Sequence, residues 1–288
     1  MAFDGPQPAS FEVHDEGLCA RVAPITDVGR RRRHNEDNHL ILPLDGSGAP
    51  HSGEVSTLGI QAPGLLLAVA DGMGGHHGGE VASRTCVENL AKEIVLQLSD
   101  SANGRPDVAS ALRQAVEATH RAVFSVAREY AKNQTMGTTL TAALVCGEHA
   151  EVAQVGDSRA YLFRDGNLIL LTQDQTIGNQ LRNRGEDPSL VNAQIKDFLT
   201  QAVGAQPNIN VIMTSINIEP QDLLLLCSDG LYKVVTPEEM VDILELEIPL
   251  AEKAAGLIAR GNENGGPDNI TVILAEICPV EIRRAALA

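Results

Sequence analysis

The chain has 288 residues, 43% hydrophobic and 21% charged, which is enough apolar material for a substantial core and too ordinary a composition for intrinsic disorder. Its 38 acidic residues outnumber 22 Lys and Arg, giving a formal net charge of -16, so the chain repels nucleic acid and anionic membranes and neither is expected as a partner. No apolar run approaches the roughly 18 residues of a membrane-spanning helix, Met1–Glu16 lacks the apolar segment of a signal peptide, and the five scattered cysteines (Cys19, Cys86, Cys146, Cys227, Cys278) share no Cys-x-x-Cys spacing. A reduced compartment with free thiols is the expectation. The Asn133-Gln134-Thr135 and Asn269-Ile270-Thr271 sequons then stay unused.

In chain order, Met1–Leu18 reads as a loose leader. Short apolar runs follow at Ala20–Thr26, Leu40–Leu44 and Leu65–Ala70, the last suited to a strand buried on both faces. Asp45–Gly64, rich in Gly, Ser, Pro and His, reads as a hairpin loop or surface excursion. Glu80–Leu98 and Val108–Lys132 carry helical apolar stripes and predict two long helices packed on one sheet face. Strands are predicted at Thr138–Val145, Glu151–Val155, Ala160–Arg164 and Leu168–Leu171, the last two joined by an Asp165-Gly166 hairpin turn. Thr172–Gly204 is polar and reads as irregular or helical, and mobile. Strand character resumes at Asn210–Ile218 and Leu223–Cys227, Pro237 and Leu250–Arg260 mark two helices, and Ile270–Ile277 is a final strand. Strands in blocks and helices in pairs point to an α+β fold, and no linker divides the chain.

The chemical signal is a set of acids beside Gly or Asn, placed at the ends of strand-like runs: Asp71-Gly72 after Leu65–Ala70, Asp229-Gly230 after Leu223–Cys227, Asp268-Asn269 before the last strand, Glu36-Asp37 after an arginine run, and Asp157 between two strands. Mg2+ and Mn2+ prefer carboxylate, carbonyl and water oxygens, and glycine lets a backbone carbonyl approach an ion. Two such ions about 3.5–4 Å apart lower the pKa of a shared water toward neutrality, giving a hydroxide nucleophile. Spacing alone leaves ordinary turns as an equal alternative, and Asp165-Gly166 reads as just such a turn.

Six blocks in order resemble the type 2C metal-dependent serine/threonine protein phosphatases in their bacterial form. These are Thr26–Asp37, Ala70–His76 with Gly79–Ser83, Met136–Thr139, Val155–Tyr161, Cys227–Leu231 and Pro267–Thr271, covering roughly residues 21–277. The resemblance implies a four-layer αββα sandwich of two antiparallel sheets flanked by helices, formed as one catalytic domain over residues 19–288 with a flap at about 175–204. It implies hydrolysis of phosphoserine and phosphothreonine in proteins by a metal-bridging hydroxide, with two Mn2+ or Mg2+ ions per site. Asp71 would bridge them with help from the Gly72 carbonyl, Glu36 would bind one, and Asp229 and Asp268 the other. Asp157 with Asp229 would hold a weaker third ion, Asp37 would orient metal-bound water, and Arg32 would grip the substrate phosphate, as its planar guanidinium allows. Arg30, Arg31 and Arg33 read as solvated or substrate-docking. A cognate Ser/Thr kinase and its substrates are the implied partners, a bacterial cytoplasm the implied location, and a monomer the expected state.

The chain also departs from the family pattern. Met73 stands where animal members carry a histidine general acid, which leaves the leaving-group acid unassigned, with His76 near in sequence. Asp174-Gln175-Thr176 replaces a usual Asp-His-Ser, and Lys233 replaces a further acid, where it would weaken the third site or salt-bridge to it. Other catalytic signatures are missing: no cysteine begins a Cys-x5-Arg loop, no Gly-Lys marks a P-loop, no His-Glu-x-x-His occurs, and the sequence around Ser158 only approaches a nucleophile elbow. The competing readings are a non-catalytic phosphoprotein-binding relative and an esterase for a small phosphorylated metabolite. Intact Glu36, Asp71, Asp229 and Asp268 favour activity.

Overall fold

The computed structural model describes residues 17–47, 54–74, 78–99, 107–130 and 136–280. Most of the predicted leader, the Asn133 sequon and His76 lie outside them. Among the described residues, twelve strands form two antiparallel sheets. The first runs β3 (Ser56–Gly59), β1 (Leu18–Asp27), β12 (Ile270–Pro279), β11 (Leu223–Cys227), β8 (Arg159–Arg164), β9 (Asn167–Leu170). The second runs β10 (Ile212–Asn217), β7 (His149–Val155), β6 (Leu140–Cys146), β4 (Leu65–Gly74), β2 (Asp37–Pro43), with β5 (Met136–Thr138) added to the far end of β4.

Period-two alternation explains the layering. In β4, Leu65, Leu67 and Val69 meet Ala20 and Val22 of β1, Leu224 and Leu226 of β11 and Ile273 of β12 between the sheets. Leu66 and Ala68 point the other way, into α1 (Gly78–Ser99) and α2 (Val108–Tyr130). On the opposite flank, Leu225, Val272 and Leu274 pack against α5 (Asp229–Tyr232), α6 (Pro237–Leu244) and α7 (Leu250–Glu263). Three apolar seams therefore separate four layers, the αββα sandwich that the resemblance implied. Leu65–Ala70 is fully buried on both faces, and each leucine there contributes about 1.5–3 kcal/mol of burial.

Local chemistry sets the joints. Asp165 and Gly166 both adopt positive φ (50° and 73°), the type I′ turn that matches the twist of β8 and β9. Pro237 begins α6 behind a capping box in which Thr236 and Glu239 satisfy each other's backbone N–H. Cys86, Cys227 and Cys278 are free thiols, and among the described residues no helix is long and apolar enough to cross a membrane.

Three expectations need correction. The Asp45–Gly64 region is not all loop, because Ser56–Gly59 pairs with β1 along Cys19–Val22. The run at Leu65–Ala70 does not stop before the acidic motif: β4 continues through Asp71 to Gly74, since β5 supplies a pairing partner there. The strand expected at Thr138–Val145 is two strands broken at Thr139, whose N–H bonds the Asp71 carbonyl at 2.8 Å. The Thr172–Gly204 segment, read as irregular or helical, contains α3 (Ile177–Asn183), a 3-10 turn (Pro188–Leu190) and α4 (Ala193–Lys196) joined by irregular chain.

Candidate metal centre

The acids gather at one end of the sandwich, where the ends of β2, β11 and β12 meet the extended arm of β4. Asp37 and Asp71 are direct register partners across β2 and β4. The Asp71 backbone is clamped on both sides: its N–H donates to Thr139 Oγ1 (3.0 Å) and its carbonyl accepts from Thr138 Oγ1 (2.9 Å). The Gly72 N–H donates to the Glu36 carbonyl (3.2 Å), and Ser83 Oγ on α1 donates to the same carbonyl (2.6 Å). Gly72 has no room for a side chain, because a Cβ would stand 2.2 Å from the Gly79 carbonyl oxygen and 2.6 Å from that of Glu36. Gly79 lets α1 begin directly against this strand, which accounts physically for a glycine in the block from Gly79 to Ser83.

The arginine loop is fixed to the same scaffold. The Asn269 side chain donates to the carbonyls of Val28 (3.0 Å) and His34 (2.9 Å) and accepts from the Glu36 N–H (2.9 Å), so one amide closes the loop at both ends. Gly29 turns at φ 78°, and a Cβ there would lie 2.1 Å from the Asp268 carbonyl oxygen.

A cleft of about 280 Å³ results, lined by Arg32, Glu36, Asp71, Gly72, Asp157, Asp229 and Asp268, with Met73, Gly74, Thr139, Asp197, Leu199 and Lys233. Every predicted site residue but Asp37 lines it. Asp37 lies beneath, 5% exposed, with Oδ2 accepting from Ser228 Oγ and Thr271 Oγ1, both at 2.7 Å. The sequence reading missed Asp197 and Leu199, which the flap carries into the cleft, and Ser228 and Thr271, which anchor Asp37. The neighbouring Asp229 and Asn269 were the available signal for the last two. Ser158, already set aside as a nucleophile, is fully buried and shares a 2.6 Å hydrogen bond with Thr139.

Charge is balanced unevenly along the cleft. Arg32 Nη2 donates to Asp268 Oδ2 (2.7 Å), and Lys233 Nζ pairs with Asp229 and stands 3.9 Å from Asp157. Burial pushes the Asp37 carboxyl up to about 7 against the donors Ser228 and Thr271, with Asp229 and Asp268 adding repulsion. Burial, followed by Asp37 and Asp229, holds Asp71 well above the usual carboxylate range. Asp157 is raised to about 7 by burial and then Asp229, with Lys233 working in the other direction.

Among the described residues, no group of three or more His, Cys, Asp or Glu side chains is placed closely enough together to hold a metal ion. The donor set nevertheless suits hard divalent cations. Asp37 Oδ1 and Asp229 Oδ1 are buried without a hydrogen-bond partner. A buried carboxylate oxygen left unmatched is costly, and cations relieve both that cost and the mutual repulsion of the acids.

The family described as Protein phosphatase 2C matches residues 55–258. The chain belongs to this family. Over 256 residues it is 36% identical to the serine/threonine phosphatase Stp of Listeria welshimeri, covering 87% of this chain and 93% of that one. The crystal structure of the Mycobacterium tuberculosis serine/threonine phosphatase PstP/Ppp superposes with a TM-score of 0.71 at 32% identity, covering 90% and 98% of the two chains. The catalytic domain of PstP in complex with two manganese ions superposes at 0.70 with 33% identity, covering 91% and 99%. This protein phosphatase 2C member is a metal-dependent serine/threonine protein phosphatase of bacterial type.

Proposed function

We propose that the phosphatase works with two Mn2+ or Mg2+ ions held in this cleft by Glu36, Asp71, the Gly72 carbonyl, Asp229 and Asp268. The observation that carries this reading is the meeting of acids from four distant segments in one cleft, with two buried carboxylate oxygens left without donors. Bound ions supply Lewis acidity toward phosphoryl oxygens and toward water. The protein's own groups do the rest. Asp71, fixed by Thr138 and Thr139, sets the position of the charge cluster. Asp37, held through Oδ2, keeps Oδ1 available to orient a water molecule. Arg32 leaves Asp268 to clamp two phosphate oxygens of the substrate, placing phosphorus over the cleft.

Asp157 and Asp229 form the weaker third position, where Lys233 already supplies one positive charge and competes with an ion. The relatives bear the name serine/threonine phosphatase. We extend phosphoproteins to this chain as its substrates, with a cognate Ser/Thr kinase as partner, in a bacterial cytoplasm. We further assign residues 19–288 to one monomeric catalytic domain with residues 175–204 as its flap. Phosphate release from phosphothreonine and phosphotyrosine peptides tests the reading. Release from phosphothreonine is expected with Mn2+ and none with a chelator. Chelator-insensitive release, or preference for phosphotyrosine, contradicts it.

A further inference from the structure

The flap is joined to the cleft by a cation sandwich that the proposed chemistry does not use. Arg159, at the start of β8, donates from Nε to Asp174 Oδ1 (2.9 Å) and from Nη2 to Asp174 Oδ2 (2.7 Å), a two-pronged grip on the residue where the flap begins. Its Nη1 donates to the buried Tyr161 hydroxyl (3.0 Å). The guanidinium carbon lies 3.6 Å from the centre of the Tyr232 ring, so the aromatic face covers a plane whose edge is filled by hydrogen bonds. Arg159 and Asp174 side chains are only 23% and 17% exposed, a setting in which such contacts are stronger than at an open surface.

Further hydrogen bonds beside this joint hold both ends of the flap. The Gln175 N–H donates to the Gly156 carbonyl (2.9 Å), and Gln175 Oε1 accepts from the Gly156 N–H (2.7 Å), so the flap stem is locked to the residue before Asp157. The Gln175 carbonyl accepts from the Thr200 N–H (2.8 Å) and from Thr200 Oγ1 (3.0 Å), tying the returning chain to the outgoing one. Asn179 of α3 donates to the Asp174 carbonyl (2.7 Å). Between these anchors the flap places Asp197 and Leu199 in the cleft wall and Phe198, 59% exposed, beside them.

We propose that Arg159, gripped by Asp174 and stacked on Tyr232, is a positioning residue that holds the flap as a fixed wall for the peptide part of a phosphoprotein substrate. This rests on the phosphatase reading above and deepens it: the joint sets the choice between peptide and small phosphoesters. The aromatic ring is the working part of Tyr232. A small aryl phosphate needs the acids and Arg32, while a phosphopeptide also needs the wall formed by Asp197, Phe198 and Leu199.

The test compares Tyr232→Leu, Tyr232→Phe, Arg159→Lys and Asp174→Asn with the wild type in Mn2+, using a phosphothreonine peptide and p-nitrophenyl phosphate, with amide hydrogen exchange over residues 175–200. Tyr232→Leu, Arg159→Lys and Asp174→Asn should raise the peptide KM by ~5-fold or more, leave p-nitrophenyl phosphate kinetics within about twofold, and speed flap exchange. Tyr232→Phe, which keeps the ring, should match the wild type. Equal losses on both substrates, an unchanged peptide KM despite faster exchange, or a Tyr232→Phe defect equal to that of Tyr232→Leu would overturn the proposal. A wild type inactive on both substrates would instead overturn the phosphatase reading, while flap exchange would still report on the joint.

Discussion

The acids of the cleft fall into two regions that are stabilised differently. At the seam between β2 and β4, Asp37 and Asp71 face each other in register, surrounded by hydroxyls and backbone. At the rim, Asp268 and Asp229 each have a cationic side chain at hand, Arg32 and Lys233. The difference shows which charges the fold balances internally. Rim acids can exchange a protein cation for another partner at modest cost, because the pairs are partly solvated. Seam acids cannot, because burial has removed water and among the described residues no lysine or arginine pairs with them. The seam is where bound cations matter most, and the rim is where substrate recognition can be adjusted.

The strongest way to break this contrast is Asp71→Asn. Removing the seam charge should cut Mn2+-dependent phosphopeptide turnover by ~100-fold or more. The metal-free variant should be at least as heat-stable as the wild type at pH 8, because it lacks a buried charge. Steady-state assays and calorimetric melting check the two halves. Near-normal activity would remove Asp71 from the chemistry.

At the rim, Arg32→Ala should raise the phosphopeptide KM about tenfold, the cost of a lost charge-assisted contact to phosphate, with a smaller change in kcat. Its thermal stability should hardly change, since the Arg32–Asp268 pair is half exposed. A pure kcat defect would move Arg32 out of substrate binding.

A pH series in chelator sharpens the contrast further. Asp37 and Asp157 are raised from 3.8 to about 7 in the fold. From about pH 4 to 7 the unfolded chain releases these protons first and the native state binds more of them, so stability falls as pH rises through that window. The midpoint of unfolding should drop between pH 5 and pH 8 by on the order of 5 °C. Saturating Mn2+ should reverse the drop, because it takes the place of the protons. A midpoint independent of pH in chelator would contradict the account of Asp37 and Asp157 as buried, unneutralised acids.

Much of this was legible in the sequence because the apolar patterns are strong. Leu65–Ala70 and Leu223–Cys227 are continuous apolar runs, the second identical in bounds to β11, and Pro237 marked α6 at its first residue. What stayed illegible depended on partners distant in the chain. Nothing local in Asp71-Gly72-Met73-Gly74 says that a strand continues, since β5 must arrive from beyond two helices to pair with it. The break at Thr139 exists because Asp71 uses its backbone and hydroxyl groups. The site acids were found through glycine and asparagine beside them. Asp197 has no such neighbour and sits in a polar stretch without periodicity, so only the flap's path over the cleft reveals it. The Asp174 anchor of the flap likewise became visible only through Arg159, fifteen residues away in sequence.

Calorimetric titration of Mn2+ into the metal-free protein, run in parallel on the wild type and Asp71→Asn, addresses the seam directly. Two tightly bound ions per chain are expected for the wild type, with that tight binding lost in the variant. Equal stoichiometry and affinity in the two proteins would show that the paired strands β2 and β4 do not build the cation site.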